Sequence, residues 1–318
     1  MQPLVSHPLD RNWQPEAVLL LAYGAAHCLD EVPDFVRHVR GGRETSQQLL
    51  QETTDRYRQI GGSPLHDITN RAAGRLQQAL NKPVYVGMRH SRPFIHQTLA
   101  QMADAGVKSC VIICLAPHYS SMSIGAYHRV LLSGLRDLNY DLQYAFVQTW
   151  HHHPLLVRLW ANALQCMLQD SGLSANQLQP TQRVLFSAHS LPQRILQQRD
   201  PYPRQLQQTA QLIAMHAGLA SSCWELLFQS APSSPEPWLG PQIEDRLPQL
   251  ADQGVQQLFI VPIGFVCDHL EVLYDLDILA CNIAQSSNMQ LRRTAMPNDS
   301  AEFIAVLQSV AQGVCQQV

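Results

Sequence analysis

Val184-Leu-Phe-Ser-Ala-His-Ser-Leu-Pro192 is the stretch whose reading decides the fold. An apolar run ends abruptly in Ser187-Ala-His-Ser190, and Pro192 opens a polar segment. That pattern is a buried parallel strand entering a loop, which leaves His189 at the strand's carboxyl end. In an open α/β sheet this edge is where ligands bind. Histidine there can ligate a metal or take a proton near neutral pH, because its unperturbed pKa is about 6.5. The plainer alternative is that His189 ties the loop down by a hydrogen bond, and this stretch alone leaves both open.

Further runs of strand length lie at Val18–Tyr23, Val84–Met88, Cys110–Ala116, Leu142–Thr149, Arg183–Ala188, Cys223–Gln229, Leu258–Ile263 and Met289–Thr294. Amphipathic helical patterns fill the gaps, among them Leu65–Leu80, Pro93–Ala105, Leu155–Leu168, Arg204–Ala217 and Ala301–Ala311. Apolar strands alternating with helices predict an α/β protein whose parallel sheets are covered on both faces. The chain also echoes itself. Leu99-Ala-Gln-Met-Ala-Asp-Ala-Gly-Val107 returns as Leu247-Pro-Gln-Leu-Ala-Asp-Gln-Gly-Val255, nearly half the chain later. Each reads as a helix closed by a glycine and followed by a buried strand. The expectation is two similar doubly wound, Rossmann-like domains with a cleft between them. The first spans residues 1–150 and the second 151–298, with a final helix at 299–318 crossing back to the first.

A chain of 318 residues exceeds the usual single core. Its 46% hydrophobic content is ordinary, and a net charge of -3 gives no reason to expect nucleic acid. Met1–Pro8 lacks the charged start and apolar run of a signal peptide, and no stretch has the ~18 apolar residues of a membrane span. Eight cysteines without a secretory signal suggest reduced thiols in a cytoplasm. No CxxC pair occurs, so no iron–sulfur cluster is expected. Cys110 and Cys114 read as small core hydrophobes. In Gly61-Gly-Ser-Pro64, Ser63 reads as a helix N-cap and Pro64 as the first helical residue.

The second stretch with chemical content is Gly264-Phe-Val-Cys-Asp-His-Leu-Glu-Val-Leu-Tyr-Asp-Leu-Asp277. Glu271 and Asp275 are four apart and predict a shared helix face, with Asp268 one turn earlier. A solvated acidic face is the default reading of such spacing. Here Leu270, Val272, Leu273 and Leu276 are apolar, and the stretch follows a buried strand, so carboxylates suited to a divalent cation or to proton acceptance are favoured. His151-His-His153 is expected to be a surface loop, because adjacent histidines point in different directions. Met88-Arg89-His90, directly after a strand, is weighed as cleft lining, and the tryptophans as packing.

Together these stretches resemble the ferrochelatases, which insert ferrous iron into a porphyrin. Ser187-Ala-His-Ser-Leu-Pro192 is similar to that family's histidine motif and Asp268-His-Leu-Glu-Val-Leu-Tyr-Asp275 to its glutamate motif. Leu20-Leu-Ala-Tyr-Gly24, Gly61-Gly-Ser-Pro-Leu65, Leu115-Ala-Pro-His118, Asp200-Pro-Tyr-Pro203, Pro237-Trp-Leu-Gly-Pro241 and Met296-Pro-Asn298 extend the likeness almost end to end. The resemblance implies four-stranded chelatase sheets, with His189 and Glu271 binding metal and accepting pyrrole protons. It implies Fe2+ as substrate rather than cofactor. Tyr23 marks the branch acting on coproporphyrin III, as a third metal contact on the opposite face of the macrocycle. Porphyrin contacts carry over to Arg40, Arg56, Tyr57, Ser63 and Tyr127. A soluble cytoplasmic monomer is implied, with handover of product to a downstream decarboxylase. A protoporphyrin IX ferrochelatase, another tetrapyrrole chelatase and a non-catalytic haem carrier are the competing readings. Two positions depart from the family's pattern: Gly41 where relatives often carry arginine, and Leu279 where acidic residues often continue.

Overall fold

The computed structural model describes residues 4–6, 13–232 and 235–316. The chain forms two compact units. One holds the residues up to Trp150, together with Cys267–His269 and those from Asn298 on. The other holds His151–Val266 and Leu270–Pro297. The first unit is built on strands β1 (Leu4–Val5), β2 (Ala17–Ala22), β3 (Val84–Met88), β4 (Ser109–Cys114) and β5 (Gln143–Val147), in the order β1-β5-β4-β2-β3. The second is built on β6 (Gln182–His189), β7 (Trp224–Gln229), β8 (Gln257–Val261) and β9 (Gln290–Arg293), in the order β7-β6-β8-β9.

All neighbours are parallel except β1, which runs antiparallel to β5. The first sheet therefore has five strands, not the four expected. The extra strand is two residues long and has no apolar run to reveal it. It is held by backbone bonds to β5 and by Ser6, whose hydroxyl accepts from the Tyr144 amide at 2.8 Å. A short strand of this kind covers an otherwise open edge.

Leaving β1 aside, the two sheets share one order: the second strand, the first, the third, the fourth. Strand order therefore reverses between β2 and β4 in one sheet and between β6 and β8 in the other. Such switch points leave a crevice beyond the carboxyl ends of the strands. Every residue of β2 and β4 is buried, as parallel strands covered on both faces require. Leu19, Leu21, Ile112 and Phe146 pack with Leu99 and Met102 of the helix Ile95–Asp104 and Leu131 of the helix Ile124–Asp137. Each such side chain contributes about 1.5–3 kcal/mol of burial free energy. Cys110 and Cys114 lie in this core, where burial pushes both thiols up.

The internal echo is visible as matching helix ends. The Val107 amide bonds to Met102 O and the Gly106 amide to Ala103 O; Val255 and Gly254 do the same to Leu250 O and Ala251 O. Both glycines sit in the left-handed region, at φ +72° and +84°. These are Schellman closures, each feeding the third strand of its sheet. At Gly61-Gly-Ser-Pro64 the helix starts one residue later than expected, spanning Leu65–Leu80 with Pro64 as N-cap. Ser63 lies outside it, its hydroxyl 3.5 Å from the Leu65 amide.

At the switch point of the second sheet, the Gly264 amide bonds to Ser187 O at 3.1 Å. A Cβ on Gly264 would lie 2.6 Å from Ala188 Cβ and 2.7 Å from its Cα. Gly264→Ala must separate β6 from the loop after β8. Thermal melting is expected to show a loss of about 1–3 kcal/mol; an unchanged melt contradicts this packing.

Candidate active site

His189 is the last residue of β6, and Glu271 follows β8 in the short helix Leu270–Leu273. Their positions flank the switch point. His189 Nδ1 lies 2.9 Å from Glu271 Oε2, and the side chains are 33% and 32% exposed. A carboxylate at Nδ1 requires that nitrogen to carry the proton, which leaves the Nε2 lone pair for a metal or an incoming proton.

Both partners are pinned through the backbone as well. The Tyr202 hydroxyl donates to His189 O at 2.9 Å, and Gln229 Nε2 donates to Glu271 O at 2.7 Å. Trp238 stands edge-on to the imidazole, with ring centroids 6.5 Å apart.

The segment after Glu271 is not a simple α-helix. It turns at Tyr274 into a π-helix, Asp275–Ala280, before resuming as α over Cys281–Ser286. The Ile278 and Leu279 amides both bond to Tyr274 O, at 3.1 and 2.9 Å. Inserted π turns of this kind concentrate at functional sites. Asp275 is buried, unlike Glu271, and accepts from the Ser230 hydroxyl. Glu271 and Asp275, expected to share a helix face, are one partly exposed carboxylate and one buried one. Asp268 departs further from expectation. It precedes the helix and groups with the first unit, where Asn298 bonds reciprocally to its amide (2.8 Å) and its carboxylate (2.7 Å). Asp277 pairs with Arg293 through two contacts of 2.7 and 2.8 Å.

Burial opposes a charged imidazole at His189, but the charge and hydrogen bond of Glu271, with Asp275 behind, outweigh it and raise His189 above its ordinary value. Among the described residues no three His, Cys, Asp or Glu side chains converge on one metal position.

In the first unit, Tyr23 follows β2 directly and is 42% exposed. Arg40 closes the helix Val32–Val39, and its Nε is buried without an acceptor among the described residues. Gly41 and Gly42 beyond it adopt φ +66° and +79°, a backbone that disfavours any residue with a side chain. Arg56 is exposed on the helix Gln47–Gln59, and Ser63 is buried in its turn. Tyr57 and Tyr127 are only 2% and 5% exposed. The Tyr57 hydroxyl accepts from the Ala26 amide, and Arg89 lies over the Tyr127 ring at 5.7 Å. Both phenols are thus buried. His151, expected on a surface loop, is instead buried against Gln208 at 3.0 Å, and His153 caps the helix Pro154–Gln169.

The ferrochelatase family model matches residues 15–314. The chain belongs to the ferrochelatase family. Its chemistry is metal insertion into a porphyrin. The ferrochelatase of Deinococcus radiodurans is 37% identical over 313 residues, covering 96% of this chain and 98% of that one. The coproporphyrin III ferrochelatase of Geobacillus kaustophilus is 38% identical over 302 residues, covering 92% and 94%. Among solved structures, the cobalt complex of the sirohydrochlorin chelatase SirB from Bacillus subtilis subspecies spizizenii superposes with a TM-score of 0.58 at 10% identity, over 96% of this chain and 97% of that one. SirB from Bacillus subtilis with Fe3+ gives 0.56 at 11%, over 94% and 96%. Identities this low establish the fold alone.

Tyr202, Gln229, Ser230 and Gly264 support the site although the sequence assigns them no role. Asp200-Pro-Tyr-Pro203 was a visible signal for Tyr202; nothing local marks Gln229 or Ser230.

Because His189 is raised, its stabilising contact is present in full below about pH 6.5 and fades as pH climbs through the raised value. An NMR titration is expected to place the His189 midpoint above 6.5, and lower in Glu271→Gln. A parent midpoint at or below 6.5 contradicts the assignment.

Proposed function

We propose that this chain inserts Fe2+ into coproporphyrin III in the cytoplasm, yielding Fe-coproporphyrin III for haem biosynthesis. The reaction releases two pyrrole protons as one divalent cation enters the ring. An imidazole and a carboxylate in contact can take those protons and hold the cation at one spot, whereas separate groups could not do both. The His189–Glu271 contact carries the insertion chemistry.

The choice of porphyrin rests on Tyr23. A phenolate is a hard ligand that favours ferric over ferrous iron, so its bond matters for product more than for substrate. Coproporphyrin also presents four propionates. Arg40 and Arg56 are donors suited to carboxylates, and the buried Arg40 Nε lacks an acceptor that a propionate would supply. Peripheral binding of this sort can be spent on bending the macrocycle so that its nitrogen lone pairs face the metal. Relatives named coproporphyrin III ferrochelatase support the reading, although relatives named simply ferrochelatase are as similar. The polar product suits direct transfer to a decarboxylase that trims its propionates.

Anaerobic iron insertion with coproporphyrin III and protoporphyrin IX side by side tests this. The expected result is a clear preference in kcat/KM for coproporphyrin III; preference for protoporphyrin IX overturns the substrate assignment. Arg40→Ala is expected to raise KM for coproporphyrin III about 10- to 100-fold, the equivalent of one charge-assisted hydrogen bond of about 1.5–3 kcal/mol. An unchanged KM removes Arg40 from the rim.

A further inference from the structure

We propose that His38 and His90 form a strut that fixes the Tyr23 ring, making both of them positioning residues for the bond between that phenolate and product iron. The inference rests on the reading of Tyr23 as an iron ligand given above.

Backbone bonding puts His90 beside Tyr23. The ladder continues past the ends of β2 and β3, with the Arg89 amide on Ala22 O and the His90 amide on Tyr23 O, both at 2.9 Å. The His90 ring then lies against the Tyr23 ring, with centroids 4.6 Å apart and planes tilted by 51°. On another side Phe35 meets Tyr23 edge-on at 6.5 Å, and Phe35 stands against Tyr57 at 6.3 Å. Tyr23 is thus bracketed by His90 and Phe35.

His90 is itself held by a polar contact. Its Nδ1 lies 3.0 Å from His38 Nδ1, and His38 is stacked on Phe94 at 4.9 Å and 27°. Two facing Nδ1 atoms share a single proton, so one ring donates and the other accepts. Burying an imidazole in an aromatic file where a phenyl ring would pack as well costs desolvation unless its nitrogen is bonded. His38 supplies that bond.

Both brackets trace to one helix. Phe35 and His38 sit on Val32–Val39, the helix that Arg40 closes. Rim cation and iron-facing phenol therefore share a support, and a ligand must be held to about 0.5 Å for a productive bond.

The test uses the full chain loaded with ferric coproporphyrin III, reading the iron–phenolate charge-transfer band in the visible spectrum. Tyr23→Phe defines the band by abolishing it. His38→Ala is expected to shift the ratio of phenolate-ligated to unligated iron about fivefold, the weight of one lost neutral hydrogen bond. His38→Asn, whose amide reaches the position of Nδ1, is expected to restore the parent band. A His38→Ala spectrum identical to the parent, with the band absent in Tyr23→Phe, overturns the strut and leaves the ligand assignment standing. A Tyr23→Phe spectrum that keeps the parent band overturns the ligand assignment, and the strut with it.

Discussion

The contact between His189 Nδ1 and Glu271 Oε2 constrains the rest of the second unit. A histidine at the end of one strand and a glutamate beyond another meet only where strand order reverses, and only if the two chains approach closely. Gly264 permits that approach against Ala188. Tyr202 and Gln229 then fix the two backbones through their carbonyls, so that the side chains meet without relying on their own hydrogen bond. The buried Asp275, with its Ser230 hydroxyl partner, supplies negative charge from behind. The result is an imidazole whose proton affinity is raised by the two carboxylates and whose side chain stays about one-third exposed.

The same strand order serves a different end in the first unit. There the residue past the first parallel strand is Tyr23, with the His90 ring against it and His38 behind His90. His90 is pushed down where His189 is raised, although both lie just beyond parallel strands. Burial lowers both; at His90 an arginine and a histidine add to it, whereas at His189 two carboxylates outweigh it.

The fold was largely legible because its signals are local. Fully apolar runs such as Ala17–Ala22 have one stable environment, and the Ala-Gly-Val and Gln-Gly-Val closures forced two helices to end alike. The strand β1 was invisible because two residues paired at an edge leave no pattern. His189 and Glu271 were legible through their place after apolar strands. The π turn was not, since the sequence from Leu270 to Leu276 keeps helical spacing, and the extra residue shows only in the paired bonds on Tyr274 O. Burial of Tyr57, Tyr127 and His151 also escaped the sequence, because an aromatic or imidazole ring is equally at home in a core or at its margin. The π turn and the burial of these rings depend on tertiary contacts, whereas the strands and helix ends depend on neighbours in sequence.

The central claim is that the His189–Glu271 pair performs insertion rather than merely holding a porphyrin. Its most direct test is a single-turnover measurement on Glu271→Gln under anaerobic conditions, with porphyrin affinity determined on the same protein by fluorescence quenching. The account predicts porphyrin binding close to the parent and an insertion rate lower by about 10²- to 10⁴-fold, the usual contribution of a positioned proton acceptor. Insertion at the parent rate, with binding intact, would contradict it.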